Sequence, residues 1–158
     1  MPYGTIIGGI CLLVKTDMIP DLSIESLIPH RDRMKLVETI VFVDQEKAIS
    51  RATVNERWPL VQDGAVSPII LIELVAQTAG ICIGWKEQIK NNSREGGKGW
   101  IVGIKQAIFH VDEIPVSSEI TTCSEIEYSH QNYAVFKGIN SIGKITAGEI
   151  NIQVFRPD

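Results

Sequence analysis

One uninterrupted apolar segment near the middle of the chain constrains its fold more than any other feature. From Ile69 to about Lys90 there is no proline, and the run is long enough for about six helical turns. Ser67 followed by Pro68 supplies an N-cap and a first-position proline. Within the run, Ile69, Ile70, Leu71, Ile72, Leu74, Val75, Ala76, Ala79, Ile81, Cys82, Ile83 and Trp85 leave the helix apolar nearly all round. A helix of that kind has to be buried on every face. The rest of the chain must therefore surround it.

The flanking sequence supplies strands to do so. Met34 to Asp44 and Lys47 to Val54 alternate and are rich in β-branched residues, with Asp44-Gln45-Glu46 as a hairpin turn. Ahead of them, Ile19 to Leu27 reads as a short helix start with Asp21 or Ser23 as cap, ended by Pro29. Residues 55–66 are irregular, with proline and Asp-Gly as breakers. Past a polar loop, Asn91 to Gly99, come Trp100 to Lys105, Gln106 to Val111, Ser118 to His130, Tyr133 to Asn140 and Lys144 to Phe155. These read as a meander of about four strands, with a possible bend after Lys105. Two strands, one long buried helix and a meander have one economical arrangement, in which an antiparallel sheet wraps the helix. The class is α+β, and the arrangement is the hot-dog fold.

No repeat or composition break divides the chain, so residues 19–158 read as one domain preceded by an extension, 1–18. Within the extension, GTIIGGICLLV is too short to span a bilayer, which takes about 20 apolar residues. It has no basic residue ahead of it and no small-residue cleavage site behind it, unlike a secretory signal. Either translation starts at Met18 rather than Met1, or the stretch docks as an extra strand.

Composition excludes more than it proposes. The 158 residues are 44% hydrophobic and 22% charged, an ordinary globular balance. A net charge of −4 and a pI of about 5.4 argue against a nucleic-acid partner, which calls for a basic patch. Cys11, Cys82 and Cys123 are odd in number and far apart, so they read as small hydrophobes in a reducing, cytoplasmic setting. His30, His110 and His130 have no metal-ligand spacing, and the glycines of the 91–99 loop lack P-loop spacing, so neither metal nor cofactor is expected.

Glu73 is the foremost candidate for chemistry. It stands between Ile72 and Leu74 in the buried helix, where an unpaired carboxylate is costly. Burial is expected to raise its pKa and let it hold or donate a proton near neutral pH. Gln77 lies on the same face one turn later, and Gly80 and Gly84 leave room along that side for a ligand or a neighbouring helix. The plain alternative is a carboxylate at a wet dimer interface or paired with a buried arginine.

Three blocks of the chain resemble the 3-hydroxyacyl-ACP dehydratases. LIPHRDRMKLVETIV is similar to their opening block, SPIILIELVAQTAG to their central helix, and WIVGIKQAIFHVDEIPVSSEITTCSEI to the strand and turn that follow. The blocks keep their order across about residues 27–155, and AQTAGICIGW looks closest to the aryl-polyene-type branch. The resemblance puts the family's catalytic acid at Glu73 and a helix glutamine at Gln77. It puts the family's histidine, fourteen residues before the acid, at Pro59, and no histidine lies between His30 and His110. The backbone donor at the helix start falls on Pro68, which has no N–H, or with a one-residue shift on Ser67 or Ile69. Asp63 is then the acid or base nearest the helix entry, and His30, in the PHR block, reads as structural.

Three functions follow as expectations. The first is a 3-hydroxyacyl-ACP dehydratase-like lyase subunit of fatty-acid or polyketide-type synthesis, completed by a histidine-bearing paralogue. The second is an acyl-ACP or acyl-CoA thioesterase using Glu73, with Gln62 or Asp63 nearby. The third is a non-catalytic acyl-thioester binder. The expected site is Glu73 and Asp63 as catalytic residues, with Gln77, Ser67, Ile69 and Gly80 binding substrate. A homodimer or heterodimer is expected in each case, because a sheet wrapped round one helix leaves apolar surface and edge strands to cover. Arg31, Arg33 and Lys35 form either a docking patch for an acidic carrier or a solvated charge run.

Overall fold

In the computed structural model of the chain, which describes residues 6–7, 10–11, 22–92 and 99–157, the apolar run forms one helix, α1 (Ile70–Asn91). Ser67 and Pro68 open it through their carbonyls, which accept from Ile70 N–H at 3.1 Å and Leu71 N–H at 3.0 Å. Ser67 Oγ accepts only a long 3.4 Å bond from Ile69 N–H. Asn92 ends the helix in the left-handed conformation (φ 50°), which asparagine tolerates better than most residues.

The strands, numbered in chain order, are β1 (Ile6–Ile7), β2 (Ile10–Cys11), β3 (Thr39–Val43), β4 (Lys47–Thr53), β5 (Val61–Gln62), β6 (Ala65–Val66), β7 (Trp100–Phe109), β8 (Ile114–Pro115), β9 (Glu119–His130), β10 (Tyr133–Ile142) and β11 (Ile145–Phe155). Six of them make an antiparallel sheet in the order β3-β4-β9-β10-β11-β7, and β5-β6-β8 make a small second sheet. The helix packs on β4, β9, β10 and β11. This is the expected α+β hot-dog arrangement. Period-two alternation drives it: Gly148, Ile150, Ile152 and Val154 of β11 are buried, and the residues between them are less so.

Buried hydroxyls and one amide tie the helix to the sheet. Ser50 Oγ and Thr78 Oγ1 lie 2.7 Å apart, Ser124 Oγ donates to Val75 O at 2.9 Å, and Asn140 Nδ2, which also donates to Thr122 Oγ1 within the sheet, reaches Leu71 O at 3.5 Å. Each such bond fixes where along the sheet the helix sits, since a slipped register would leave buried polar groups unpaired. Two glycines permit close approaches of the helix to its surroundings. A Cβ on Gly138 would stand 2.4 Å from both methyls of Val75, and one on Gly84 would stand 2.4 Å from Leu27 O.

The structure differs from the sequence reading in local detail. In the Ile19 to Leu27 stretch, the described residues hold only a 3-10 turn, Ile24–Ser26; residues 19–21 lie outside them. The strand expected from Met34 begins only at Thr39, because Leu36 N–H and Val37 N–H donate to Gln77 Oε1 instead of to a neighbouring strand. Residues 55–66 hold the β5–β6 hairpin, turned by Asp63 (φ 51°) and Gly64 (φ 78°); such positive φ pairs match the twist of the flanking strands. β7 runs unbroken through the expected bend, which is taken up by two register shifts against β11. In the extension, β1 pairs antiparallel with β2, while the Met1 or Met18 start and most of the polar loop lie outside the described residues.

Gly138→Ala tests the close approach. Val75 is β-branched and stiff in a helix, so the new methyl cannot be accommodated by a rotamer change. The substitution should destabilise the fold by about 1–3 kcal/mol, as overpacking does. It would be read as a lower urea midpoint at unchanged slope.

Candidate active site

One stripe of α1 carries Glu73, Ala76, Gly80 and Ile83, at spacings of three or four residues that place them on a single face. The stripe walls a cavity of about 540 Å³, a size usual for small-molecule sites. The opposite wall is the Ile28-Pro29-His30 segment, and the side is Gly99, Trp100 and Ile101 at the start of β7, with Val154 of β11. Apart from His30 and Glu73 the lining residues are apolar.

His30 Nε2 lies 3.1 Å from Glu73 Oε1, and each side chain is about 30% exposed or less (30% and 28%). The histidine is held there by its neighbour. The Arg31 guanidinium donates to the carbonyls of Ile28, His30 and Glu25, each at 2.8 Å, and so fixes the backbone on both sides of Pro29. The rest of the basic cluster also binds to the protein. Lys35 pairs with Glu25, and Arg33 Nε donates to Arg57 O at 3.0 Å.

Gln77 holds the other member of the pair. Its Nε2 donates to Glu73 Oε1 at 2.8 Å and to Met34 O at 2.5 Å, and its Oε1 accepts from Leu36 N–H at 2.9 Å. The residue has no exposed surface. In this structure it positions Glu73 rather than facing the cavity. The two side-chain bonds to Glu73 both end on Oε1, leaving Oε2 outside them.

The electrostatics of Glu73 run opposite to the expectation from burial. Desolvation pushes its pKa up, but the hydrogen bonds from His30 and Gln77, with the attraction of the imidazole, outweigh it and leave the group below 4.5. Glu73 is therefore an anion at neutral pH and an acceptor, so Nε2 of His30 is the donor in their bond. His30 Nδ1 is buried with no hydrogen-bond partner among the described residues.

The remaining expected site residues are scattered. Gly80 lies in the cavity wall, where a Cβ would meet Ile28 Cγ2 at 3.0 Å. Ser67 and Ile69 sit at the helix entry and Asp63 at the exposed β5–β6 turn, all outside this lining. Pro59, where the resemblance puts the family histidine, lies in the turn before β5. Sequence alone reads His30 as structural, outside the site. Its signal was present in the PHR block, but nothing local shows that this block lies over α1. Of the cysteines, Cys82 and Cys123 are buried, and desolvation pushes the Cys82 thiol up to about 12, which suits an inert packing role.

The pH dependence of stability tests the state of Glu73. A carboxylate held below its unfolded pKa stabilises the fold above that value, and the contribution is lost as pH falls through the lower, folded pKa. Urea midpoints followed from neutral pH to below 4.5 should therefore fall more steeply in the native protein than in Glu73→Gln. Gln77→Met should cost about 1–3 kcal/mol for each backbone group it leaves unpaired, and should shrink the acid-dependent loss, because without the Gln77 donor the folded pKa of Glu73 rises toward its unfolded value.

Comparison with known proteins gives the same fold and adds a family. The structure matches one from the dehydratase heterocomplex ApeI:P of Xenorhabdus doucetiae with a TM-score of 0.80, at 19% identity over 88% of this chain and 93% of that one. It also matches the HP0420 homologue of Helicobacter felis (TM-score 0.64, 14% identity, 84% and 99% covered). A hypothetical thioesterase solved with coenzyme A from Streptococcus pneumoniae matches at a TM-score of 0.60 (12% identity, 75% and 84% covered). No curated protein matches the sequence. The family model for ApeP-like proteins, described as ApeP dehydratase, matches residues 22–158. The chain belongs to the ApeP-like dehydratase family, within the hot-dog dehydratases.

Proposed function

We propose that the chain acts on 3-hydroxyacyl thioesters of a carrier, in fatty-acid or polyketide-type synthesis, as a dehydratase subunit whose proton-transfer pair is His30 and Glu73. The observation that carries this reading is the 3.1 Å contact between His30 Nε2 and Glu73 Oε1 on the wall of an otherwise apolar cavity. Dehydration takes one proton from the α-carbon and returns one to the departing hydroxyl, so it leaves the catalyst's proton count unchanged. A joined imidazole and carboxylate suits that exchange. In this reading Glu73 Oε2, outside both hydrogen bonds, accepts the α-proton, and His30 in its cationic form gives its Nε2 proton to the departing hydroxyl, which leaves as water. Exchange across their shared bond restores the pair.

The second part of the proposal is a partner on β7. This strand ends the sheet order, and Trp100, Ile101, Val102, Ile104 and Ile108 on it are exposed. A ten-residue edge strand with five exposed large apolar side chains is a pairing surface that monomeric proteins avoid. The Xenorhabdus doucetiae dehydratase is a heterocomplex, which supports a different dehydratase-like chain, rather than a second copy, as the partner here.

The test is to incubate the assembled protein with a 3-hydroxyacyl carrier thioester and weigh the intact acyl carrier. Loss of water is expected, with His30→Ala and Glu73→Gln each slowing it by about 10²–10⁴-fold. Rates in both variants equal to that of the native protein would remove the pair from the mechanism. Release of free carrier thiol would instead support hydrolysis, for which an ionised carboxylate with one free oxygen is also suited.

A further inference from the structure

A second cavity, of about 210 Å³, lies beyond the end of the first. Cys82, Lys86, Tyr133 and Phe136 are among its lining residues, and it shares two wall residues with the His30–Glu73 cavity: Ile83 and Val154. Both are nearly buried, at 8% and 6% exposure. The α1 stripe that runs Glu73, Ala76, Gly80, Ile83 continues by the same spacing to Glu87, which lines the second cavity. From Glu73 to Ile83 is about 15 Å along the helix axis, and Glu87 lies about 6 Å further.

We infer that Ile83 and Val154 form a partition that sets the length of acyl chain the first cavity accepts. The inference rests on the acyl-thioester reading of that cavity. A chain whose thioester lies at His30 and Glu73 has one apolar direction to follow, down the helix stripe, and it meets these two side chains at the end. Both are β-branched, and β-branched side chains have few χ1 rotamers open to them. The wall therefore does not swing aside, and the length limit is sharp. Behind it, the ion pair of Arg156 Nη1 with Glu87 Oε1 at 2.8 Å, braced by Asn91 Nδ2 on Glu87 Oε2 at 2.9 Å, forms part of the far wall.

The experiment titrates straight-chain N-acyl pantetheine amides of increasing length into the assembled protein by calorimetry. In the native protein, affinity should rise about fourfold per added methylene and then stop rising at one length. Ile83→Ala and Val154→Ala should move that break to chains longer by about two to three carbons, the volume each truncation removes. Ile83→Phe should move it to shorter chains. Val154→Ala removes less of the core than Ile83→Ala and keeps the test usable if the latter does not fold, as a melting curve of each variant would show. A break at the same length in every folded variant overturns the partition and leaves the proposed function standing. Binding of no chain length at all overturns the acyl reading, and the partition with it.

Discussion

The side-chain amide of Gln77 is the interaction on which the site depends. An amide in the middle of a helix that is apolar nearly all round is tolerable only when its polar atoms are satisfied. Here Oε1 accepts from the backbone of Leu36, and Nε2 donates to Met34 O and to Glu73. These bonds hold residues 34–37 against α1 before the chain enters β3. The Ile28-Pro29-His30 segment that leads into them is thereby laid across the same helix. The contact between His30 and Glu73 is thus a consequence of core hydrogen bonding, and the fold and the site are stabilised together.

The same bonds decide the charge of the site. A carboxylate beside Ile72 and Leu74 would be driven toward its neutral form by desolvation alone. Two donors on one oxygen reverse that balance. The result is an ionised group with one oxygen committed to its neighbours and one outside those bonds. That division separates positioning from reactivity: Oε1 fixes where the carboxylate is, and Oε2 is left for whatever enters the cavity.

What the sequence showed and hid follows from the range of the forces involved. Helix α1 and strands β9 to β11 were legible because apolar periodicity is local and continuous in them. The family was legible because its blocks keep their order. The pairing of His30 with Glu73 spans 43 positions and passes through Gln77, and no local pattern encodes it. The alternation from Met34 to Val37 imitates a strand, yet a buried glutamine far along the chain takes the backbone donors that would have made one. The raised pKa that burial implies for Glu73 fails for the same reason, since burial is guessable from sequence and hydrogen-bond donors are not. The two-residue strands β5 and β6 are shorter than any pattern can reveal, although the Asp63-Gly64 turn between them is a hairpin signal.

The exposed edge and the cavity are also one problem rather than two. Trp100 and Ile101 are at once the start of the uncovered strand β7 and part of the cavity wall. The opposite edge, β3, is half as long, five residues against ten, so the larger cost of leaving an edge bare falls on the side that borders the site. A chain paired along β7 would cover the apolar strand and shut the cavity from water in a single step. Excluding water there strengthens the His30–Glu73 interaction, because the same charges attract more strongly in a less polar medium. In the proposed assembly, then, the subunit that satisfies the sheet edge also completes the surroundings in which the pair works.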